Sequence, residues 1–196
     1  MNNCNDKPRW VALFSQSGQE IWSLYASLGR APDLIITNQV NRERIYPILL
    51  ERFQDRLVYI TQNTVETYKN ILRATDLVTL HGYLRIIPAE TCNTFNIYNG
   101  HPGLITLYPD LKGYNPQEKA CKKEYKTIGS VIHKCVAEVD AGPIIVEKSY
   151  TMTVEECLQY NSNLQQLYTD LLRGTSLACW REFFKNYFKD NLYDKQ

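Results

Sequence analysis

Short apolar runs alternating with helix-spaced segments constrain this chain more than any other feature. Residues 10–14 (WVALF) are apolar and end in Ser15-Gln16-Ser17-Gly18, after which Ile21, Trp22, Leu24, Tyr25 and Leu28 recur at helical spacing. That predicts strand, tight turn, helix. Residues 33–37 (DLIIT) read as a second strand, 44–53 as a second helix and 57–60 (LVYI) as a third strand. A helix over 64–74 with Thr64 as N-cap follows, then short strands at 77–80 (LVTL) and 95–98 (FNIY). Strands alternating with helices imply right-handed βαβ units and an α/β fold, a doubly wound, mostly parallel, Rossmann-like sheet. Residues 127–135 and 143–151 alternate as a strand pair joined by 137–142, and a helical pattern from 154 to 187 reads as two helices broken near Gly174. The expectation is one domain over 1–196, with a core over 9–151, a C-terminal helical extension over 152–189, and frayed polar ends at 1–7 and 190–196.

Charge narrows the partners. Lys+Arg 22 against Asp+Glu 21 leaves a formal net charge of +1, so no global field draws in nucleic acid or an anionic membrane, and a small molecule is the expected partner. No apolar run approaches the roughly 18 to 20 residues of a spanning helix, and residues 1–7 lack a signal-peptide hydrophobic stretch, so a cytoplasmic protein is expected. The six cysteines are scattered singly with no CxxC pair, which points to reduced thiols; with three dispersed histidines, they suggest no metal site.

In an open parallel sheet, ligands bind beyond the carboxyl ends of the strands, so the loops at 15–19, 81–85 and 99–103 should converge. Asn99-Gly100-His101-Pro102 directly follows an apolar strand. An amide N–H beside a protonated imidazole suits the oxyanion of acyl transfer, each such donor being worth roughly 3 kcal/mol of barrier. Asp140, in the turn Val139-Asp140-Ala141-Gly142-Pro143, can favour the imidazolium if that turn folds back. Each residue taken alone reads equally as structural.

Asn99-x-His101-Pro102 followed by Asp140-x-Gly142-Pro143 resembles the folate-dependent formyltransferase family, and residues 127–133 (TIGSVIH) resemble the strand that precedes the family's aspartate turn. The resemblance covers about 10–151 and implies direct transfer of a formyl group from 10-formyltetrahydrofolate to an acceptor amine. In that scheme Asn99 and His101 stabilise the oxyanion, while Asp140 keeps His101 charged and positions a water that shuttles the proton. It also implies that Leu84, Arg85, Ile86 and Ile87 wall the folate pocket and that Val136, Ala137 and Glu138 form the loop closing over it. His133 falls on a family position but reads at least as well as a structural histidine, and His81 receives no role.

The resemblance places the acceptor at the first loop, through Ser15, Gly18, Gln19 and Glu20. In the glycinamide ribonucleotide branch this loop is glycine-rich and binds phosphate at a helix N-terminus. Here Gly18 matches, while Glu20 places a carboxylate there and would instead receive a hydroxyl or amine donor. Residues 111–116 (LKGYNP) resemble the Gly-x-x-Pro stretch of amino-sugar formyltransferases and of formyltetrahydrofolate hydrolase. The acceptor is therefore read as a sugar- or nucleotide-linked amine, with glycinamide ribonucleotide of purine synthesis as the alternative. A non-catalytic folate- or nucleotide-binding protein is the alternative of another class; the lone Gly18 is a weak nucleotide fingerprint.

Overall fold

The computed structural model describes residues 8–160 and 163–188; the ends expected to fray, and Cys4, lie outside them. Strand β1 (Trp10–Phe14) is buried along its whole length, as a central parallel strand covered on both faces must be. Its side chains alternate, with Trp10, Ala12 and Phe14 entering one apolar cluster and Val11 and Leu13 the opposite one. Helix α1 (Gln19–Leu28), β2 (Leu34–Thr37), α2 (Pro47–Phe53), β3 (Leu57–Tyr59), α3 (Val65–Lys69), β4 (Leu77–His81), α4 (Ala89–Thr94) and β5 (Asn96–His101) follow. Helix α5 (Pro116–Lys122) leads to the hairpin of β6 (Thr127–Lys134) and β7 (Ile144–Thr151), then α6 (Val154–Gln159) and α7 (Leu164–Tyr187).

The strands form one sheet in the order β3-β2-β1-β4-β5-β6-β7, parallel from β3 to β5 and antiparallel at β6 and β7. The chain moves outward from β1 to β3 and then returns to β4. The carboxyl ends of β1 and β4 therefore flank the topological switch point, where open α/β sheets form their ligand crevice. Helices cover both faces. On one, Trp180 and Phe184 of α7 pack on Trp10, with the Trp10 and Phe184 rings 4.6 Å apart. On the other, Tyr68, Leu72, Cys92 and Phe95 pack on Leu80 and Ile97.

Beyond shifts of one residue at several strand ends, four boundaries differ from the sequence reading. The expected helix over 44–53 begins only at Pro47, because Ile45 and Tyr46 are extended ahead of a proline that starts the helix. The helix over 64–74 keeps its Thr64 cap, whose side chain accepts from the Thr67 N–H, but ends at Lys69. The helical break falls ahead of Asn163, whose side chain caps α7 by accepting from the Gln166 N–H, and α7 runs unbroken through Gly174. Gly174 costs about 1 kcal/mol relative to Ala there, yet it lies on an exposed face while Leu172, Ser176 and Cys179 anchor the same stretch in the core. The fourth difference matters most: the strand expected at 95–98 continues through His101, so Asn99 and His101 are strand residues. Among the described residues, no helix is long and apolar enough to cross a membrane.

Candidate active site

The extension of β5 explains why two residues of unlike chemistry can serve one point. Side chains at i and i+2 of a strand share a face, so Asn99 and His101 point together while Gly100 faces the other way. A Cβ on Gly100 would lie 2.6 Å from the Trp180 indole nitrogen. Glycine is what lets α7 pack this closely behind the site.

Asp140 joins the group from the turn between β6 and β7. Its backbone is left-handed, φ +52°, a conformation that aspartate tolerates better than most residues but that still stores strain. The turn is held by Gly142, where any Cβ would come within 1.7 Å of the Lys134 carbonyl oxygen, and by the Lys134 N–H donating to the Pro143 carbonyl. A register irregularity between Ile132 and His133 re-aims the end of β6 beside it.

These constraints make Asp140 a hub. Its Oδ1 lies 3.2 Å from His133 Nε2 and 3.5 Å from Asn99 Nδ2. Its Oδ2 lies 3.4 Å from His101 Nδ1 and accepts the Gly113 N–H at 2.8 Å. His101 Nε2 donates to the Leu111 carbonyl at 2.9 Å, and His133 Nδ1 donates to the Lys134 carbonyl at 3.1 Å. One short segment, 111–113, thus contacts both His101 and Asp140. Burial alone would raise the Asp140 carboxyl, but the His133 hydrogen bond, the His101 charge and the Gly113 N–H overcome it and hold it at about 2. His101 titrates below its ordinary value because burial disfavours the imidazolium; Asp140 and the Leu111 carbonyl push upward without cancelling that, and His133 and Lys119 add to the lowering. Asp140 therefore acts in the direction expected from sequence, but burial exceeds it.

A cleft of about 400 Å³ opens over this group. Leu84, Arg85, Ile86, Ile87, Val136, Ala137 and Glu138 line it together with Asn99, His101, His133 and Asp140. Leu84 and Ile86 are 58% and 67% exposed, and Val136 is partly so, which leaves an apolar rim suited to a flat heteroaromatic ring. The rim is braced: Ser15 Oγ accepts the Leu84 N–H, Asn63 Nδ2 donates to the Ile86 carbonyl, and the Arg85 guanidinium donates to the Thr61 carbonyl at 2.9 Å. Cys92 and Cys135 also face this cleft, a placement that no spacing in the sequence signals.

The first loop is arranged otherwise than expected. Ser15 turns inward, donating to Asn38 Oδ1 while supporting Leu84. Gly18 caps α1 at φ +72° under Leu49, and Gln19 is exposed away from the cleft. Glu20, expected to receive a donor from the acceptor, instead receives His81 Nδ1 at 2.8 Å and the Ser176 hydroxyl at 2.5 Å. The cause is His81, which sits at the end of β4 on the face that α1 covers, its ring tilted against Trp180 with centroids 4.5 Å apart. Burial alone would raise Glu20, but the hydrogen bond and charge of His81 together with Ser176 bring it below its ordinary value. His81 is thus the functionally silent residue of the sequence that decides where Glu20 points. Of residues 15–20, Gln16 alone lines the cleft.

The doubly wound sheet thus makes this an α/β protein that carries a buried carboxylate, two imidazoles and an amide together at its carboxyl edge. Comparison with known proteins makes the class specific. The formyl transferase family model matches residues 37–169, more than half of the chain, and the protein belongs to that family, whose enzymes take the formyl group from 10-formyltetrahydrofolate. The chain is 32% identical over 97 residues to a formyltetrahydrofolate deformylase of Synechocystis sp., covering 47% of this chain and 33% of that protein. It is 30% identical over 92 residues to a phosphoribosylglycinamide formyltransferase of Dictyostelium discoideum, covering 43% of this chain and 45% of its relative. The matched stretches thus span less than half of those relatives. A crystal structure of phosphoribosylglycinamide formyltransferase from Anaplasma phagocytophilum shares the fold, with TM-score 0.76 and 22% identity over 94% of this chain and 89% of that one.

Proposed function

We propose that this protein transfers the formyl group of 10-formyltetrahydrofolate to the amine of a small acceptor, a sugar- or nucleotide-linked amine. The observation that carries the reading is the Asp140 hub, which ties Asn99, His101 and His133 to one carboxylate beneath a cleft with an apolar rim. The folate supplies an activated formyl carbon whose bond to nitrogen is the one broken. In this reading Asn99 and His101, on one face of β5, turn N–H donors that here meet Asp140 and the Leu111 carbonyl toward the formyl oxygen as it gains charge under attack by the amine. The attacking amine loses a proton and the departing folate nitrogen gains one. Asp140, ionised and fixed by the Gly113 N–H, is the group that can hold a water on that path.

Leu84 to Ile87 on one side and Val136 to Glu138 on the other receive the folate in this reading. Support against an acceptor that places a phosphate inside this cleft comes from charge: Arg85 is the one Arg or Lys among the cleft-lining residues, and its guanidinium is engaged by Thr61. The test is incubation with 10-formyltetrahydrofolate and a panel of amines, reading tetrahydrofolate release and the mass of each product. Formylated amine formed in step with tetrahydrofolate is expected. Tetrahydrofolate and formate released equally with and without amine would assign water as the acceptor instead.

A further inference from the structure

We propose that Gln16 is the residue that selects the acceptor, and that it selects an uncharged polar group, such as a hydroxyl, beside the reacting amine. This rests on the reading that an amine enters the cleft over Asn99 and His101.

The first observation is position. Gln16 follows β1 at the switch point, and its carboxamide lies over Gly82, which follows β4 on the other side of the same crevice. A Cβ on Gly82 would stand 2.9 Å from Gln16 Oε1, the end of a flexible side chain, and it is the backbone, φ +60°, that calls for glycine there. The amide therefore sits against Gly82 on the wall of the cleft that holds Asn99 and His101.

The second observation is pairing. Near Gln16, Ser15 is committed to Asn38 and Leu84, Asn63 to Tyr68 and Ile86, Arg85 to Thr61, and Asn99, His101 and His133 to the Asp140 hub, while Tyr114, Gln117 and Glu138, which line the cleft from other segments, share with Gln16 the lack of a side-chain partner among the described residues. The Gln16 amide, exposed in the same cleft, has no hydrogen-bond partner among the described residues. It offers two donors and an acceptor to whatever enters.

The third observation is charge. With Glu20 held by His81 and Ser176, the first loop presents neither an anion nor a cation to the cleft. A neutral amide that both donates and accepts matches a hydroxyl, which does the same. A phosphate is best met by Arg or Lys, and the first loop supplies neither.

The experiment compares wild type, Q16A, Q16E and Q16R with 10-formyltetrahydrofolate and matched amine pairs: 2-amino-2-deoxyglucose against its 6-phosphate, and further hydroxylated amines against their phosphorylated forms. The wild type is expected to favour the hydroxylated member of each pair. Q16A should raise the acceptor KM by about threefold to tenfold, the worth of an uncharged hydrogen bond, while kcat, the KM for the folate and the melting temperature stay near wild type. Q16R should move the preference toward the phosphorylated member. An acceptor KM unchanged in Q16A and Q16R, an equal rise in the folate KM, or a wild-type preference for phosphorylated amines would overturn the role of Gln16 while leaving amine formylation standing. Folate turnover with no amine formylated by any variant would overturn both.

Discussion

Two regions that meet at the same sheet edge are built on opposite rules. At the end of β5 the polar side chains converge outward on a cleft, with Asp140 contacting Asn99, His101 and His133. At the end of β1 they are drawn inward, Ser15 to Asn38 and Glu20 to His81 and Ser176, leaving one amide to face the ligand space. The first is a costly buried cluster that makes sense as chemistry. The second spends its charge on holding α1, β4 and α7 together. Residues placed by sequence in one functional loop can therefore belong to the scaffold.

The largest effect that could break this contrast is at β5. N99A and H101A should each lower turnover by about a hundredfold or more while 10-formyltetrahydrofolate binding stays near wild type, since their donors matter most as charge develops on the formyl oxygen. Single-turnover rates beside equilibrium binding of the folate read both quantities. Turnover near wild type in both variants would move the chemistry away from β5.

D140N sharpens the same side and should lower activity by about tenfold to a hundredfold, in the range of lost acid–base assistance. Its pH dependence carries the sign. Asp140 pushes the His101 imidazole upward against burial, so its removal lets His101 fall further below its ordinary value. If turnover uses the imidazolium, the alkaline limb of the pH–rate profile must move to lower pH. A profile that loses amplitude without moving would leave Asp140 with the water alone.

These two regions also mark how far the sequence was legible. The order of the strands, with the helices between the first four, was readable from the spacing of apolar residues, because periodicity in a buried strand is set locally by which faces are covered, while the short helices α4 and α5 were not read. The Asn99, His101 and Asp140 group was readable because a strand end and a Gly-Pro turn fix their places within a few residues. What was not readable depended on partners distant in sequence. Glu20 and Ser176 are separated by 156 positions, and the orientation of Glu20 follows from His81 and α7 rather than from its own loop. The Leu111 and Gly113 contacts to His101 and Asp140, and the two cysteines in the cleft, were hidden for the same reason.

E20Q should act on stability where the β5 variants act on turnover. The Glu20 carboxyl sits below its ordinary value in the folded protein, so it contributes stability that is fully present above the ordinary glutamate value and lost as pH falls through the lowered one. At neutral pH the variant should lose about 1–3 kcal/mol, the cost of leaving a buried hydrogen-bonding group poorly matched, and the gap to wild type should close in acid. Urea unfolding at several pH values measures it. A variant as stable as wild type but deficient in acceptor use would return Glu20 to the ligand.

The smallest expected effect is at Gln19, adjacent to Glu20 and placed by sequence in the acceptor loop. Its side chain is exposed outside the cleft, and its backbone N–H reaches only the Ser17 hydroxyl at 3.3 Å. Alanine is also the better helix former at this first helical position, by a few tenths of a kcal/mol. Q19A should therefore change stability by less than about 0.5 kcal/mol, as surface substitutions usually do. It should leave the acceptor KM within about twofold, below the worth of one uncharged hydrogen bond. Measured beside Q16A under the same conditions, it separates two neighbouring residues by placement alone, one amide over Gly82 in the crevice and one on the outer face of α1. A rise in acceptor KM for Q19A matching that for Q16A would mean that the whole first loop, rather than its one inward-reaching amide, meets the acceptor.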